Sequence, residues 1–280
     1  MAPETTELSR QIDEAVEALR AGGVGKPKVG IILGTGLGTL AEKIRDPVAV
    51  RYDKIPHFPV ATVEGHAGEL IFGTLAGTQV AVLKGRVHYY EGYTMRQVAF
   101  PVRVLRGLGA DTLVTSSAVG GLNPLHRPGD IVLVTDHINL MGDNPLIGPN
   151  DESLGPRFPD MSEPYNRDLL GLTERIAVDE KISVRKGVFV GVAGPNLETA
   201  AEYRFLRQIG ADVVGMSLIP ENLVAVHGGM RTLAFAVITD ACLPDALEPV
   251  NIQRILQTAA EAEPKLSRLV ERVLEELPQA

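Results

Sequence analysis

The sequence predicts an α/β fold: a single domain with a mixed, mostly parallel central β-sheet flanked by helices. Three observations carry this. Strand-length apolar runs alternate along the chain with stretches of helical periodicity. Several of those runs are apolar throughout rather than at every second residue, the pattern of strands covered on both faces. No linker-like break, internal repeat or low-complexity segment interrupts them, so residues 1–280 read as one unit.

The elements follow in order. Leu8, Ile12, Ala15, Val16 and Leu19 recur at helical spacing, and Gly22-Gly23 ends that helix. Val29–Leu33 is a strand, and Leu40–Ile44 is helix-like. Further strands are expected at 69–75, 79–83, 112–117, 130–136, 187–193, 212–216 and 231–238. Helices are expected at about 94–108, 165–181, 198–209, 220–228 and 249–277. Pro101 and Pro264 should kink the first and last of these, and Pro249 suits a first helical turn. The long irregular stretch at 137–164, rich in Gly, Pro, Asn and Asp, is the kind of loop that serves a site or an interface.

Composition narrows the function. A chain with 45% hydrophobic and 22% charged residues can bury a sizeable core. A formal net charge of −8 argues against nucleic acid as a main partner, although a small anion needs only a local positive site. The single cysteine, Cys242, excludes an internal disulfide, and the six histidines form no zinc-binding spacing. No apolar run approaches membrane-spanning length, and Met1-Ala2-Pro3-Glu4 lacks the character of a signal peptide. A reduced cytoplasmic setting, without membrane or metal, is expected.

Lys84–Tyr93 is the most informative stretch. Directly after an apolar strand it places Arg86 and His88 two residues apart, so an extended backbone points both to the same side. A guanidinium fork and an imidazole suit phosphate. Gly34-Thr35-Gly36-Leu37-Gly38 follows a strand and frees backbone N–H groups for an anion; a strand-to-helix turn that needs glycine accounts for it equally. Its spacing fits neither a dinucleotide fingerprint nor a P-loop. Thr115–Pro124, with paired glycines, suits either a close ligand or tight packing, and Gly65-His66-Ala67-Gly68 adds an imidazole to a third small-residue segment.

Together with Gly148–Asp151, Ala193–Thr199, Val214–Ser217 and Ile238–Asp240, these motifs are in the order found in the trimeric purine nucleoside phosphorylases, and from about Val29 to Asn251 the chain resembles that family. The resemblance implies reversible phosphorolysis of purine (2′-deoxy)ribonucleosides, inosine and guanosine foremost, in a homotrimer. No cofactor or metal is implied; inorganic phosphate is the co-substrate. By the family pattern, phosphate is held by Thr35, His66, Arg86, His88, Ser217 and the backbone N–H of Ala118. The ribose meets Tyr90, Met216 and, from a neighbouring subunit, Phe158. The purine meets Ala118, Leu197, Glu198, Val214 and Asp240, and His88, Glu198 and Asp240 are the expected catalytic groups.

Three positions depart from the pattern. Asp240 stands where 6-oxopurine enzymes usually carry asparagine, and Thr35 where they carry serine. Both are features of the related methylthioadenosine phosphorylases. Ile252 stands where many members place a histidine near the sugar 5′-hydroxyl. Glu198 favours 6-oxopurines, because an ionised carboxylate accepts from their N1–H and repels the bare N1 of adenine. The alternatives are therefore a 5′-methylthioadenosine or 5′-methylthioinosine phosphorylase and, from another class, a non-catalytic nucleoside sensor. Retention of Arg86, His88 and Glu198 speaks against the sensor.

Overall fold

The computed structural model describes residues 6–34, 38–60 and 68–277. Nine strands among them form one sheet: β1 (Val29–Leu33), β2 (Arg45–Arg51), β3 (Glu69–Leu75), β4 (Thr78–Lys84), β5 (Thr112–Gly121), β6 (Ile131–Leu140), β7 (Val184–Val192), β8 (Val213–Gly215) and β9 (Arg231–Ala241). Their order is β2-β3-β4-β1-β5-β8-β7-β6-β9, and β9 also pairs with β5. The last five strands therefore close on themselves, with β5 shared between the open and the closed part. Five of the nine pairings are parallel, so the sheet is mixed as expected.

Six α-helices among the described residues cover it: α1 (Glu7–Ala21), α2 (Met95–Leu108), α3 (Arg167–Asp179), α4 (Ala200–Gln208), α5 (Ile219–His227) and α6 (Ile252–Glu276). The apolar stripe Ile12, Ala15, Val16 and Leu19 packs α1 with α2 and α5 into one core layer. α3 and α6 contribute Leu169, Ile176, Leu266, Leu269 and Val273 to a second layer beneath β5, β6 and β9. β1 is buried along its whole length between these layers, which explains its unalternating Val-Gly-Ile-Ile-Leu sequence. None of the helices among the described residues is long and apolar enough to cross a membrane.

The structure corrects two expectations and adds a strand. The helix-like 40–44 segment is a short 3-10 helix, Thr39–Lys43. α6 begins at Ile252, with Asn251 capping it through its side chain, so Pro249 lies ahead of the helix rather than in its first turn. Strand β2 went unread because it is an exposed edge. Only Val48, Val50 and their neighbours alternate there, and Pro47 sits where the register against β3 shifts.

Candidate active site

The carboxyl ends of β1, β4, β5, β8 and β9 converge on a cavity of about 190 Å³. Gly34 directly follows β1 there. A side chain on it would meet the Ser116 carbonyl at 2.6 Å, so glycine lets β1 run close against β5. Thr35, in the same loop, and His66 lie outside the described residues.

Beyond β4 the chain bends at Gly85, with φ +103°, and buries Arg86 and His88, and both line the cavity as their spacing predicted. Arg86 donates from Nη2 to the Ser116 carbonyl at 2.9 Å. Its Nε lies 3.6 Å from Oε1 of Glu221, a buried carboxylate in the first turn of α5. His88 is oriented by Glu91, whose Oε1 lies 3.0 Å from Nδ1 and accepts from the His88 backbone N–H at 2.7 Å. Tyr90 stacks on the imidazole at 4.7 Å between centroids, and partial burial pushes its phenol pKa upward. Tyr89 packs against the main core and Tyr93 donates to the Val60 carbonyl, so neither belongs to the site.

The opposite wall comes from β8 and the turn after it. Val214, Gly215, Met216 and Ser217 line the cavity, and the Ser217 and Ser117 hydroxyls are 2.9 Å apart. Leu218, fully buried, has φ +72° and ψ −47°, and the Ile219 N–H bonds back to the Ser217 carbonyl at 2.8 Å. This is the rarer, strained form of γ-turn, and it swings the chain from strand into helix beside Ser217.

Leu197, Glu198, Asp240 and Tyr203 complete the lining with Thr239 and Cys242. Glu198 is not the head of α4. Thr199 caps that helix and Glu202 closes the capping box, leaving Glu198 one residue outside and facing the cavity. Burial raises its carboxyl above the ordinary range, with Glu202 and Asp240 adding to the rise, while a backbone hydrogen bond and the Tyr203 hydroxyl work against it. Asp240 accepts from the Thr239 hydroxyl at 2.9 Å and from the Cys242 thiol at 3.2 Å. A side chain at Gly120 would meet the Cys242 sulfur at 2.5 Å, so this half of the Gly120-Gly121 pair serves close packing against Cys242.

A second cavity of about 350 Å³ adjoins the first. It shares Leu197, Glu198, Tyr203, Asp240 and Cys242 with it, but Arg86, His88 and Ser217 do not line it. The site therefore has a cationic and hydroxyl end and a carboxylate end. Among the described residues no three His, Cys, Asp or Glu side chains are grouped as metal ligands.

The sequence profile of the phosphorylase superfamily matches residues 28–275. The chain is 46% identical to purine nucleoside phosphorylase 1 of Bacillus subtilis, over 95% of this chain and 98% of that protein. It is 45% identical to the rat purine nucleoside phosphorylase, over 94% and 93%. The chain belongs to the purine nucleoside phosphorylase family. The fold agrees: the crystal structure of Schistosoma mansoni purine nucleoside phosphorylase in complex with inosine aligns with a TM-score of 0.93 and 39% identity, covering 99% of this chain and all of that one.

Of the site residues expected from this family's motifs, Arg86, His88, Tyr90, Ala118, Leu197, Glu198, Val214, Met216, Ser217 and Asp240 line the same cavity. Phe158 does not. It stands 86% exposed on the long loop, with the Arg157 guanidinium 5.7 Å from its ring centroid. Ile252, singled out as a departure, is also exposed and off the cavity; Ile255, one turn on, lines it. Sequence reading missed Glu91, Tyr203, Glu221 and Cys242. Cys242 was legible in one respect: two residues after Asp240, it lies on the same side of an extended chain.

Proposed function

We propose that this protein catalyses the phosphorolysis of inosine and guanosine, with their 2′-deoxy forms, to the free base and (deoxy)ribose 1-phosphate. The observation that carries the reading is one cavity with Arg86, His88 and Ser217 at one end and Glu198 and Asp240 at the other. Phosphate binds at the first end, held by Arg86, His88, Ser217 and the Ala118 N–H, with Thr35 and His66 completing the set. Tyr90 and Met216 bracket the ribose between the two ends.

In the reaction the C1′–N9 bond breaks with its electron pair going to the purine, and a phosphate oxygen forms the new bond to C1′. Positive charge gathers on the sugar, where bound phosphate stabilises it, and negative charge on the purine, where the polar groups around Glu198 and Asp240 do so. The purine takes up a proton and departs as the neutral base. The apolar wall of Leu197, Val214 and Met216 keeps water from competing with phosphate.

Phe158 supports a homotrimeric reading: a large aromatic exposed on a loop fits a side chain that completes a neighbouring copy's ribose site. No nucleic acid, membrane or organic cofactor enters this account, and its setting is the cytoplasm.

The test is release of hypoxanthine from inosine by the purified protein, with and without phosphate. Phosphate-dependent release is expected, and no release in phosphate would refute the proposal. One observation favours a second reading. Asp240 presents an acceptor where an amide would donate, so preferential cleavage of 5′-methylthioadenosine or 5′-methylthioinosine would replace the first reading.

A further inference from the structure

Strand β5 brings two consecutive serines, Ser116 and Ser117, to the cationic end of the cavity. Alternation along the strand sends their side chains to opposite faces. Ser116 turns toward α6 and lines a small void there with Glu263 and Ser267. Its Oγ accepts from the Gly34 N–H at 3.1 Å and its carbonyl accepts from Arg86 at 2.9 Å, which ties the end of β1 and the guanidinium to β5. Ser117 turns into the cavity itself. Its Oγ lies 2.9 Å from Ser217 Oγ and donates weakly, at 3.3 Å, to the Ala118 carbonyl. Ser117 and Ser217 are 4% and 6% exposed, so each hydroxyl depends on the other for a partner more than on water.

We infer that Ser117 is a positioning residue for phosphate, acting by aiming the Ser217 hydroxyl. The inference rests on the proposed phosphorolysis, with Ser217 as a phosphate ligand. The γ-turn at Leu218 fixes the Ser217 backbone, but it leaves the side chain three staggered rotamers and its hydroxyl proton free to rotate. A partner oxygen at 2.9 Å selects one rotamer. The pair then has two protons to place, in one of two arrangements. In the first, Ser117 donates to the Ala118 carbonyl, Ser217 donates to Ser117, and Ser217 turns only lone pairs to the cavity. In the second, Ser117 donates to Ser217, and Ser217 gives its own proton to whatever faces it. At 3.3 Å the Ser117–Ala118 contact is long for a hydroxyl, so it holds the first arrangement weakly. Phosphate oxygens are acceptors, and a hydrogen bond to an anion is about twice as strong as a neutral one, so bound phosphate selects the second. Each hydroxyl then donates once, and polarisation along the row strengthens the bond to phosphate.

The experiment is a double-mutant cycle of Ser117→Ala, Ser217→Ala and the two together. It reads KM for phosphate at saturating inosine and KM for inosine at saturating phosphate. Ser217→Ala should raise the phosphate KM about 10–100-fold, for loss of a hydrogen bond to an anion, and Ser117→Ala about 3–10-fold, for loss of a neutral one. The double variant should match Ser217→Ala alone, because without that hydroxyl Ser117 has nothing to aim. In Ser117→Ala, kcat and the inosine KM should stay within about 2-fold of wild type, since the nucleoside contacts are intact. Ser117→Cys, a second variant that keeps nearly the same volume with a weaker donor, should fall between Ser117→Ala and wild type. Ser117→Ala with the wild-type phosphate KM overturns the inference. So do single effects that multiply in full in the double variant, the result expected if Ser117 met phosphate directly or acted only on the fold. Wild type without phosphorolysis would instead strike the proposed function itself, and the phosphate-induced rise in Tm of the same four proteins would then test the serine pair.

Discussion

Replacing one member of the buried Arg86–Glu221 pair tests whether the cationic end of the cavity is held from behind. The two side chains are 5% and 3% exposed, and Nε lies 3.6 Å from Oε1. At an effective dielectric of about 20, charges at that separation attract by about 4–5 kcal/mol. That agrees with the ~3–5 kcal/mol lost when a buried pair is broken from one side. Arg86→Met and Glu221→Gln should each destabilise the protein by about that amount, roughly 10 °C in Tm for a domain of this size. The double variant should be no worse than the weaker single one, because neither charge is then stranded. Denaturant unfolding of the four proteins measures this directly. Added phosphate supplies a functional arm: it should raise the Tm of Glu221→Gln more than that of wild type, since phosphate then becomes the guanidinium's counter-charge, and should do least for Arg86→Met. A coupling energy below about 1 kcal/mol, the value of an exposed pair, would refute the argument.

Two further outcomes follow from titratable groups. Glu198→Ala should lower inosine kcat/KM by about 10–100-fold, for loss of a charge-assisted hydrogen bond of ~1.5–3 kcal/mol, and should abolish the acid limb, which in wild type lies above the ordinary carboxylate range. Because the folded pKa is raised, Glu198's contribution to stability is present at low pH and lost as pH rises, so this variant should gain on wild type in the same direction; pH-dependent unfolding checks it. At Asp151 burial pushes upward, but hydrogen bonds from Ser153, Ser9 and Thr6 outweigh it and hold the carboxyl at about 2. Its folded pKa is depressed, so its stability contribution is present above the ordinary value and lost as pH falls toward 2. Asp151→Asn should therefore cost at most ~1 kcal/mol at neutral pH, given its exposure, and nothing in strong acid, as read from urea midpoints.

Much of this was legible in the residues. Strands buried on both faces announce themselves as unbroken apolar runs, and β1, β4, β5 and β9 were read that way. Strand β2 was not, because an edge strand with Arg, Asp and Pro carries almost no apolar pattern. In the site, Arg86 and His88 were readable because two residues of extended chain aim both side chains one way. Ser217 and Glu198 came from motif context, since nothing in local spacing shows that β8 and the start of α4 approach β4. The supporting residues escaped for the same reason. Glu221 sits in a helix 135 positions from Arg86, and Tyr203 shares one apolar cluster with Cys242, a residue of a different element. The γ-turn at Leu218 leaves no mark in sequence at all, since leucine is a poor choice for positive φ and tertiary packing holds it there.

The most direct test of the account is a phosphate-dependent comparison of inosine, guanosine, adenosine and 5′-methylthioadenosine as substrates of the purified protein. Rapid release of hypoxanthine and guanine, with adenosine and methylthioadenosine far behind, is the predicted result. Faster cleavage of either 6-aminopurine nucleoside would contradict the role given to Glu198.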